Sequence, residues 1–251
     1  MQIKKVVTQS LAAAAATVIL LTSAHAALVG RDINGVAVAG ASASAVFLYD
    51  TDLNITWLRN ANAAAGSSFD DGFFSTDGLM SWGNANNWAS TLTVGSYSGW
   101  RLPTMVDTGA PGCDFSNAGG TDCGRDVQTA TSEMAHLYYV SLGNLSYCPP
   151  SDATCVFTNT GNFQNVDNSY WSGTEYAPNL DFAWVFNMIG GVQRAFPKKI
   201  DEASQLGALA VRPGDVAVAQ VPEPGTLLLA ALALVVMGVV RRQRPLGASP
   251  L

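Results

Sequence analysis

The C-terminal end of the chain constrains its fate more than any other part of the sequence. Pro222-Glu223-Pro224 is followed by an apolar run from Thr226 to Val240 and by a basic end with Arg241, Arg242 and Arg244. The two prolines stop a helix or strand from continuing across Glu223, so the acid lies on an extended, accessible backbone. As a helix, the apolar run spans about 22 Å, which is less than the roughly 30 Å of a hydrocarbon core. The arginines are expected to stay on the cytoplasmic side.

These three parts, in this order, resemble the PEP-CTERM sorting signal of exported proteins from exopolysaccharide-producing Gram-negative bacteria. In that family the membrane protease exosortase recognises the Pro-Glu-Pro motif and removes the tail. The resemblance implies exosortase as a partner, and attachment to the membrane through the tail before processing. An ordinary single-span anchor is the alternative, whereas a core helix would not end in three arginines. We predict a sorting tail at 219–251 with a transmembrane helix at 226–240.

The N-terminal end predicts export as well. Lys4 and Lys5 precede an apolar region from Leu11 to Leu21, and Ala24-His25-Ala26 forms an A-x-A cleavage site. A retained N-terminal anchor is disfavoured because the apolar region is short. We predict a signal peptide at 1–26, which signal peptidase removes between Ala26 and Ala27.

The part between the two signals is acidic and aromatic. Residues 27–220 contain 8 Lys and Arg against 18 Asp and Glu, a net charge of −10, and they hold every Trp, Tyr and Phe of the chain. Such a surface repels nucleic acid and anionic lipid, so we expect no nucleic-acid partner. The length suffices for one sizeable core, and we predict a single ectodomain at 27–218.

Four cysteines lie in turn-rich segments of this ectodomain: Cys113, Cys123, Cys148 and Cys155. In an exported protein an even number of cysteines favours disulfides. Three pairings exist, and the two local pairs, Cys113 with Cys123 and Cys148 with Cys155, need the least rearrangement. A zinc site of four thiolates is the alternative, but neither spacing is of the C-x2-C type.

Hydrophobic periodicity predicts a mixture of strands and helices. The expected strands are Ala45–Tyr49, Ile55–Leu58, Phe182–Met188, Val192–Phe196 and Ala208–Arg212, with Gly190-Gly191 as a hairpin turn. One helix starts at Trp82, with Ser81 as its N-cap and Gly95 just past its end. A second helix is expected from about Thr131 to Leu142, with Met134, Leu137, Tyr138 and Leu142 on one face.

Motifs distributed along the ectodomain suggest a family. They are LYDTDLNITWL (48–58), GLMSWGNANNWASTL (78–92), GWRLPT (99–104), YWSGTEY (170–176), FAWVF (182–186) and AVRPGDV (210–216). In order and spacing they resemble the Lcl C-terminal domain family, a domain of unknown function named after a collagen-like adhesin that binds sulfated glycans. The resemblance implies an α+β, C-type lectin-like fold with two helices, a small twisted antiparallel sheet and disulfide-stapled loops.

The motif residues are expected to act mainly as framework. This set comprises Trp100, Arg101, Pro103, Trp171, Glu175, Trp184 and Arg212. Trp100 is expected to be a large buried side chain, and Pro103 suits the first turn of a helix. Arg101 is expected to pair with Glu175. Strand alternation places Tyr170 and Trp171 on opposite faces. The segment between Gly109 and Gly124 departs from the family pattern as an insertion, so its role is not inherited.

The inventory of catalytic groups is poor. The ectodomain has one histidine, His136, which excludes a multi-histidine metal site, and no G-x-S-x-G, HExxH or P-loop motif is present. A lone helical histidine is more often a partly exposed or capping residue than a base. We therefore expect the chain not to be an enzyme. A glycosidase that uses two of the carboxylates is the alternative, but the sequence does not pair them.

We expect no cofactor and no metal. Asp114, Asn117, Asp122 and Asp126 crowd one loop with oxygen ligands that suit calcium, but their spacing is not that of an EF-hand. A solvated acidic loop is the interpretation adopted, with calcium as its alternative.

Together the sequence favours an exported, exosortase-processed protein of the cell surface or extracellular matrix. It is expected to be non-catalytic, with a role in binding polysaccharide in exopolysaccharide or biofilm. Aromatic side chains in the Trp- and Tyr-rich segments would stack on sugar rings. The alternatives are a structural matrix component without a ligand, and a carbohydrate-active enzyme that uses an Asp/Glu pair.

Overall fold

The computed structural model describes residues 28–109, 112–115, 122–127, 129–146, 159–167, 169–199 and 206–217. The predicted signal peptide, its cleavage site and the sorting tail lie outside the described residues, as do Cys148, Cys155 and Asn117.

One sheet joins the two ends of the described domain. Its strands are β1 (Leu28–Arg31), β2 (Ala37–Val38), β3 (Phe47–Asp50), β4 (Ile55–Leu58) and β10 (Val211–Pro213). They are antiparallel in the order β10-β4-β3-β1-β2. The prediction for β4 is confirmed at both ends. β3 starts two residues later than expected, and the closing strand is shorter than the predicted Ala208–Arg212.

A second sheet carries the other family motifs. Its strands are β5 (Leu79–Met80), β6 (Ser169–Glu175), β7 (Phe182–Asn187), β8 (Val192–Pro197) and β9 (Leu206–Gly207). Their order is β5-β9-β6-β7-β8, and β6 and β9 form the parallel pair. The predicted β7–β8 hairpin is confirmed. The expectation of one small sheet is wrong: there are two sheets, and the two-residue strands β2, β5 and β9 are too short to leave a periodic signal.

Two short helical segments complete the α+β architecture. Helix α1 (Trp82–Thr91) begins as predicted, because the Ser81 side chain accepts a hydrogen bond from the backbone N–H of Asn84. Helix α2 (Glu133–Ala135) runs directly into a π-helix (His136–Ser141). The second predicted helix is thus shorter than expected, and its last turn is widened: the Leu142 N–H bonds to the Leu137 carbonyl, five residues earlier.

The core has two main parts, and β6 separates them. The π-helix cluster contains Tyr170 and Phe186, together with Met134, Leu137, Tyr138 and Leu142. The α1 cluster contains Trp171 and Val185, together with Ala85, Trp88, Ala89 and Trp100. Neighbouring residues of β6 therefore serve opposite clusters, which confirms the predicted alternation. Because both faces of this sheet are covered, β7 is apolar from Phe182 to Phe186, and the middle of β6 is buried from Tyr170 to Ser172.

Candidate ligand-binding surface

The three motif tryptophans lie in the core. Trp100, Trp171 and Trp184 are buried. The indole N–H of Trp100 donates to the Tyr97 carbonyl (3.0 Å), and that of Trp171 to the Met80 carbonyl (2.8 Å). Each indole therefore adds apolar contact area without leaving its donor unpaired. These three side chains leave little ring surface for a sugar.

Arg101 is a clamp, but its predicted partner is wrong. Its guanidinium forms two hydrogen bonds to Glu133, at 2.7 and 2.6 Å, and Glu133 also accepts the Thr104 N–H at 2.7 Å. Glu175 instead forms an ion pair with Lys198. Arg101 pairs with Glu133 because Glu133 opens α2 directly beside the segment after Arg101. Glu175 ends β6 and is the more exposed of the two carboxylates.

Pro103 and Arg212 also connect segments. Pro103 does not start a helix as expected. It lies in an extended segment, where its carbonyl accepts the Gly173 N–H at 2.7 Å. The Arg212 guanidinium lies 5.5 Å from the centre of the Tyr97 ring and donates to the Ser98 carbonyl at 3.2 Å. Both residues therefore link segments that are far apart in the sequence.

A closed loop between β4 and β5 presents the most exposed aromatic side chains among the described residues. The carboxylate of Asp70 is buried, and its Oδ2 accepts the N–H groups of Gly66 (2.8 Å) and Gly78 (2.9 Å). One carboxylate thus ties both ends of the loop 66–78 together. At its tip Phe73 and Phe74 are 67% and 62% exposed, and their rings pack edge to face with centroids 4.8 Å apart.

Polar groups lie beside this loop at the start of α1. Asp71 accepts the Ser81 N–H at 3.2 Å, which places Trp82 next to the loop. The Trp82 indole donates to the Ser172 carbonyl, and the Lys198 ammonium lies 4.3 Å from the centre of its ring. Lys198 in turn pairs with the half-exposed Glu175. We name Phe73, Phe74, Trp82, Glu175 and Lys198 the aromatic face.

The described carboxylates are mostly occupied in holding loops. Asp107 accepts N–H groups from Gly109, Ala177 and the Trp184 indole, at 2.7–2.9 Å. Burial acts to raise the pKa of Asp107, but these donors outweigh it, so the pKa lies below its usual value. An aspartate held ionised in this way fixes structure and makes a poor proton donor.

The disulfide between Cys113 and Cys123 is formed, as predicted. Beside it, Asp122 is buried and its Oδ2 accepts the N–H and hydroxyl of Thr108, at 2.7 and 2.5 Å. Within the described residues no group of three or more His, Cys, Asp and Glu side chains is placed to hold a metal ion. Asp122 therefore fastens the loop rather than offering a free ligand for calcium.

His136 does not face a nucleophile in the structure. Its Nε2 is buried, without a hydrogen-bond partner among the described residues, and lies 3.9 Å from Asp52 Oδ2. The cavity beside the π-helix is lined by apolar side chains and Thr160, and no carboxylate lines it. This cavity therefore gives no support to a catalytic pair of facing carboxylates.

Sequence reasoning missed most of the aromatic face. Among these residues the sequence points only to Glu175 as a candidate site residue, with Arg101 rather than Lys198 as its expected partner. Phe73-Phe74 stands out in retrospect as two consecutive aromatics within a run of Gly, Ser and Asp, a pattern in which burial is difficult. Lys198 left no such signal, because its contacts with Trp82 and Glu175 form only in the folded chain.

Comparison with known proteins identifies one segment. The PEP-CTERM protein-sorting motif matches residues 220–244. The chain matches no curated protein and no solved structure. Among the described residues, which exclude the tail, no helix is long and apolar enough to cross a membrane. The matched motif supports an exported protein that the C-terminal tail anchors transiently in the membrane and that an exosortase processes.

Proposed function

We propose that the ectodomain is a non-catalytic polysaccharide-binding module of the cell surface or extracellular matrix, of C-type lectin-like fold and of the Lcl C-terminal domain family. The family assignment is supported by the order of the sequence motifs and by the α+β architecture. The export of the chain is supported by the sorting motif at 220–244.

The binding role rests on one observation, the exposed Phe73–Phe74 pair on a loop that Asp70 holds closed. Aromatic rings that are more than half exposed on a fixed loop are suited to pack against the apolar faces of sugar rings. Glu175, whose side chain is half-exposed, offers a carboxylate acceptor for sugar hydroxyls. The expected stacking by Trp and Tyr is revised to these phenylalanines, since Trp57, Trp100, Trp171, Trp184 and Tyr170 are buried.

Affinity electrophoresis in gels that contain the exopolysaccharide of the producing strain tests this role. We expect the wild-type domain to be retarded, and the Phe73→Ala/Phe74→Ala variant to lose about tenfold or more in affinity. Leu145→Ala/Ile189→Ala removes two exposed aliphatic side chains elsewhere and is the matched control. Equal retardation of both variants would place binding outside the aromatic face.

A structural matrix component without a ligand is the second candidate, and tight burial of the tryptophans favours it. It predicts that the wild-type domain is not retarded by any polysaccharide, at any gel concentration. A saturable retardation of the wild-type domain would exclude it. The third candidate is a carbohydrate-active enzyme, and within the described residues no carboxylate lines the cavity beside the π-helix to favour it.

A further inference from the structure

The domain holds its last residues firmly, up to the point where the sorting tail begins. Arg31 forms two hydrogen bonds with Asp215, at 3.0 and 2.6 Å. The Tyr97 hydroxyl donates to the carbonyl of the buried Val216 at 2.9 Å, and the Ala217 N–H donates to Asp215 at 2.9 Å. The chain therefore leaves the domain from a fixed place.

The sorting motif starts close to this exit. Pro222 is five residues beyond Ala217. An extended chain advances at most about 3.6 Å per residue, so Pro222 lies within about 18 Å of Ala217 in any conformation. A protease that cleaves beside Pro222 must therefore approach the folded domain closely on the exit side.

The turn between β1 and β2 forms the surface beside the exit. A Cβ atom added to Gly35 would lie 2.0 Å from the Val216 carbonyl oxygen, so the turn touches the departing chain. Asp32 fastens the turn by accepting the Val36 N–H at 2.8 Å. Two aliphatic side chains project from it into solvent, with Ile33 39% exposed and Val36 48% exposed. Exposed apolar side chains on a fixed turn suit contact with another protein.

We propose that residues 32–36 form the surface with which the domain contacts the exosortase while the tail is removed. The occupant follows from the sorting motif and from the short reach between Ala217 and Pro222. Cleavage requires the protease at this place, whereas contact of the turn with lipid is not required. A contact of two side chains is sufficient, since the tail already tethers the partners together.

The test follows tail removal from the full-length chain in the producing strain by pulse labelling. We expect Ile33→Ser/Val36→Ser to slow tail removal about fivefold. Leu145→Ser/Ile189→Ser is the matched control, two exposed aliphatics on other loops, and it should be processed at the wild-type rate. Processing of Ile33→Ser/Val36→Ser at the wild-type rate would overturn the proposal.

A longer tether separates docking from a folding defect. Insertion of about ten Gly and Ser residues after Ala217 removes the need for close approach. In that background the Ile33→Ser/Val36→Ser chain should be processed as fast as the unsubstituted chain. If the variant stays slow with the long tether, it acts by another route and the proposal fails.

Photo-crosslinking identifies the occupant directly. With benzoylphenylalanine in place of Val36, we expect a crosslinked product that contains the exosortase, and none from the same probe at Leu145. Crosslinking from position 36 to lipid alone would assign the surface to the bilayer and overturn the proposal. These readouts are independent of polysaccharide binding, so failure here leaves the proposed function standing.

Discussion

Arg101 and Glu133 face each other through two hydrogen bonds, 2.7 and 2.6 Å long, that join the extended segment after Gly99 to the first turn of α2. The backbone N–H and carbonyl of Arg101 also pair with Val211. Arg101 thus connects the segment in which it lies to both β10 and α2. This explains why a charged side chain stands between the buried Trp100 and Leu102.

Loss of the Arg101 guanidinium should destabilise the domain. We expect Arg101→Ala to lower the free energy of unfolding by about 2 kcal/mol, because Glu133 keeps its charge without its partner. Arg101→Lys should recover only part of the loss, since one ammonium group cannot reproduce the two-pronged contact. Urea unfolding of the mature domain measures both changes.

Glu175 provides the contrasting case for this prediction. It is half-exposed, so Glu175→Ala should change the free energy of unfolding by no more than about 0.5 kcal/mol. A double-mutant cycle should find coupling between Arg101 and Glu133 and none between Arg101 and Glu175. Coupling to Glu175 instead would contradict the observed pairing.

Local features of the fold could be predicted from sequence, because residues a few positions apart determine them. The Gly190-Gly191 hairpin, the Ser81 cap and the opposite faces of Tyr170 and Trp171 are of this kind. The partner of Arg101 lies 32 residues away, beyond the range of local patterns, so the sequence gives no basis for ranking Glu133 above Glu175.

The division into two sheets and the aromatic face could not be predicted for related reasons. Strands of two residues carry no periodicity, and β7 is buried on both faces, so its sequence does not show which sheet it joins. Aromatic composition alone does not separate a buried Trp171 from an exposed Phe73. Exposure depends on the Asp70 hydrogen bonds that close the loop 66–78.

Acid should weaken the domain through Asp107 and Asp215. Burial acts to raise the pKa of Asp215, but the Arg31 and Ala217 hydrogen bonds outweigh it and hold the pKa below its usual value, as the N–H donors do at Asp107. A lowered pKa in the folded state gives stability that is fully present above the unfolded pKa of about 3.9 and is lost as the pH falls through the folded pKa.

We therefore expect the free energy of unfolding to fall steeply below about pH 4. Asp107→Asn should be less stable than the wild type at pH 7. The difference in free energy of unfolding should shrink as the pH falls below the pKa of aspartate in the unfolded chain. Urea unfolding at several pH values between 2 and 7 measures this. A constant difference across the range would mean that the carboxylate charge contributes nothing.

Removal of the disulfide should loosen its own loop. Cys113 and Cys123 are separated by 10 residues, so loop closure contributes up to about 3 kcal/mol in the chain-entropy treatment. Cys113→Ser/Cys123→Ser should lower the thermal midpoint accordingly. Faster amide exchange is expected at Gly124, which pairs with Gln193 on the edge of β8.

The remaining two cysteines are predicted to form the second local disulfide. Labelling of free thiols in the unreduced, denatured protein should then detect none. Two reactive thiols in the wild type, and the same two in Cys113→Ser/Cys123→Ser, would show that Cys148 and Cys155 are unpaired.

The sorting motif predicts removal of the tail. Mass spectrometry of the extracellular protein should find no peptide beyond Gly225, because we expect cleavage near Pro222-Glu223-Pro224, which lies at the start of the matched motif. Pro222→Ala/Glu223→Ala should retain the tail and stay with the membrane fraction. A wild-type protein that keeps residues 226–244 outside the cell would be a plain anchored protein instead.

Substitutions at two glycines can separate the cost of backbone strain from the cost of steric overlap. Gly35 lies beside the exit of the domain, and Gly66 lies at the start of the loop 66–78. Gly35 and Gly66 have similar positive φ values, 82° and 74°. A Cβ at Gly66 would meet nothing within 4 Å, whereas one at Gly35 would lie 2.0 Å from the Val216 carbonyl oxygen and 2.5 Å from the Tyr97 hydroxyl. Gly66→Ala should therefore lower the free energy of unfolding by only about 1 kcal/mol, because alanine is less stable than glycine in the left-handed backbone conformation. Gly35→Ala should cost about 3 kcal/mol, because it also drives apart the Tyr97–Val216 hydrogen bond. Thermal unfolding compares the two, and equal losses would mean that the last residues of the domain yield freely and are not held by the β1–β2 turn.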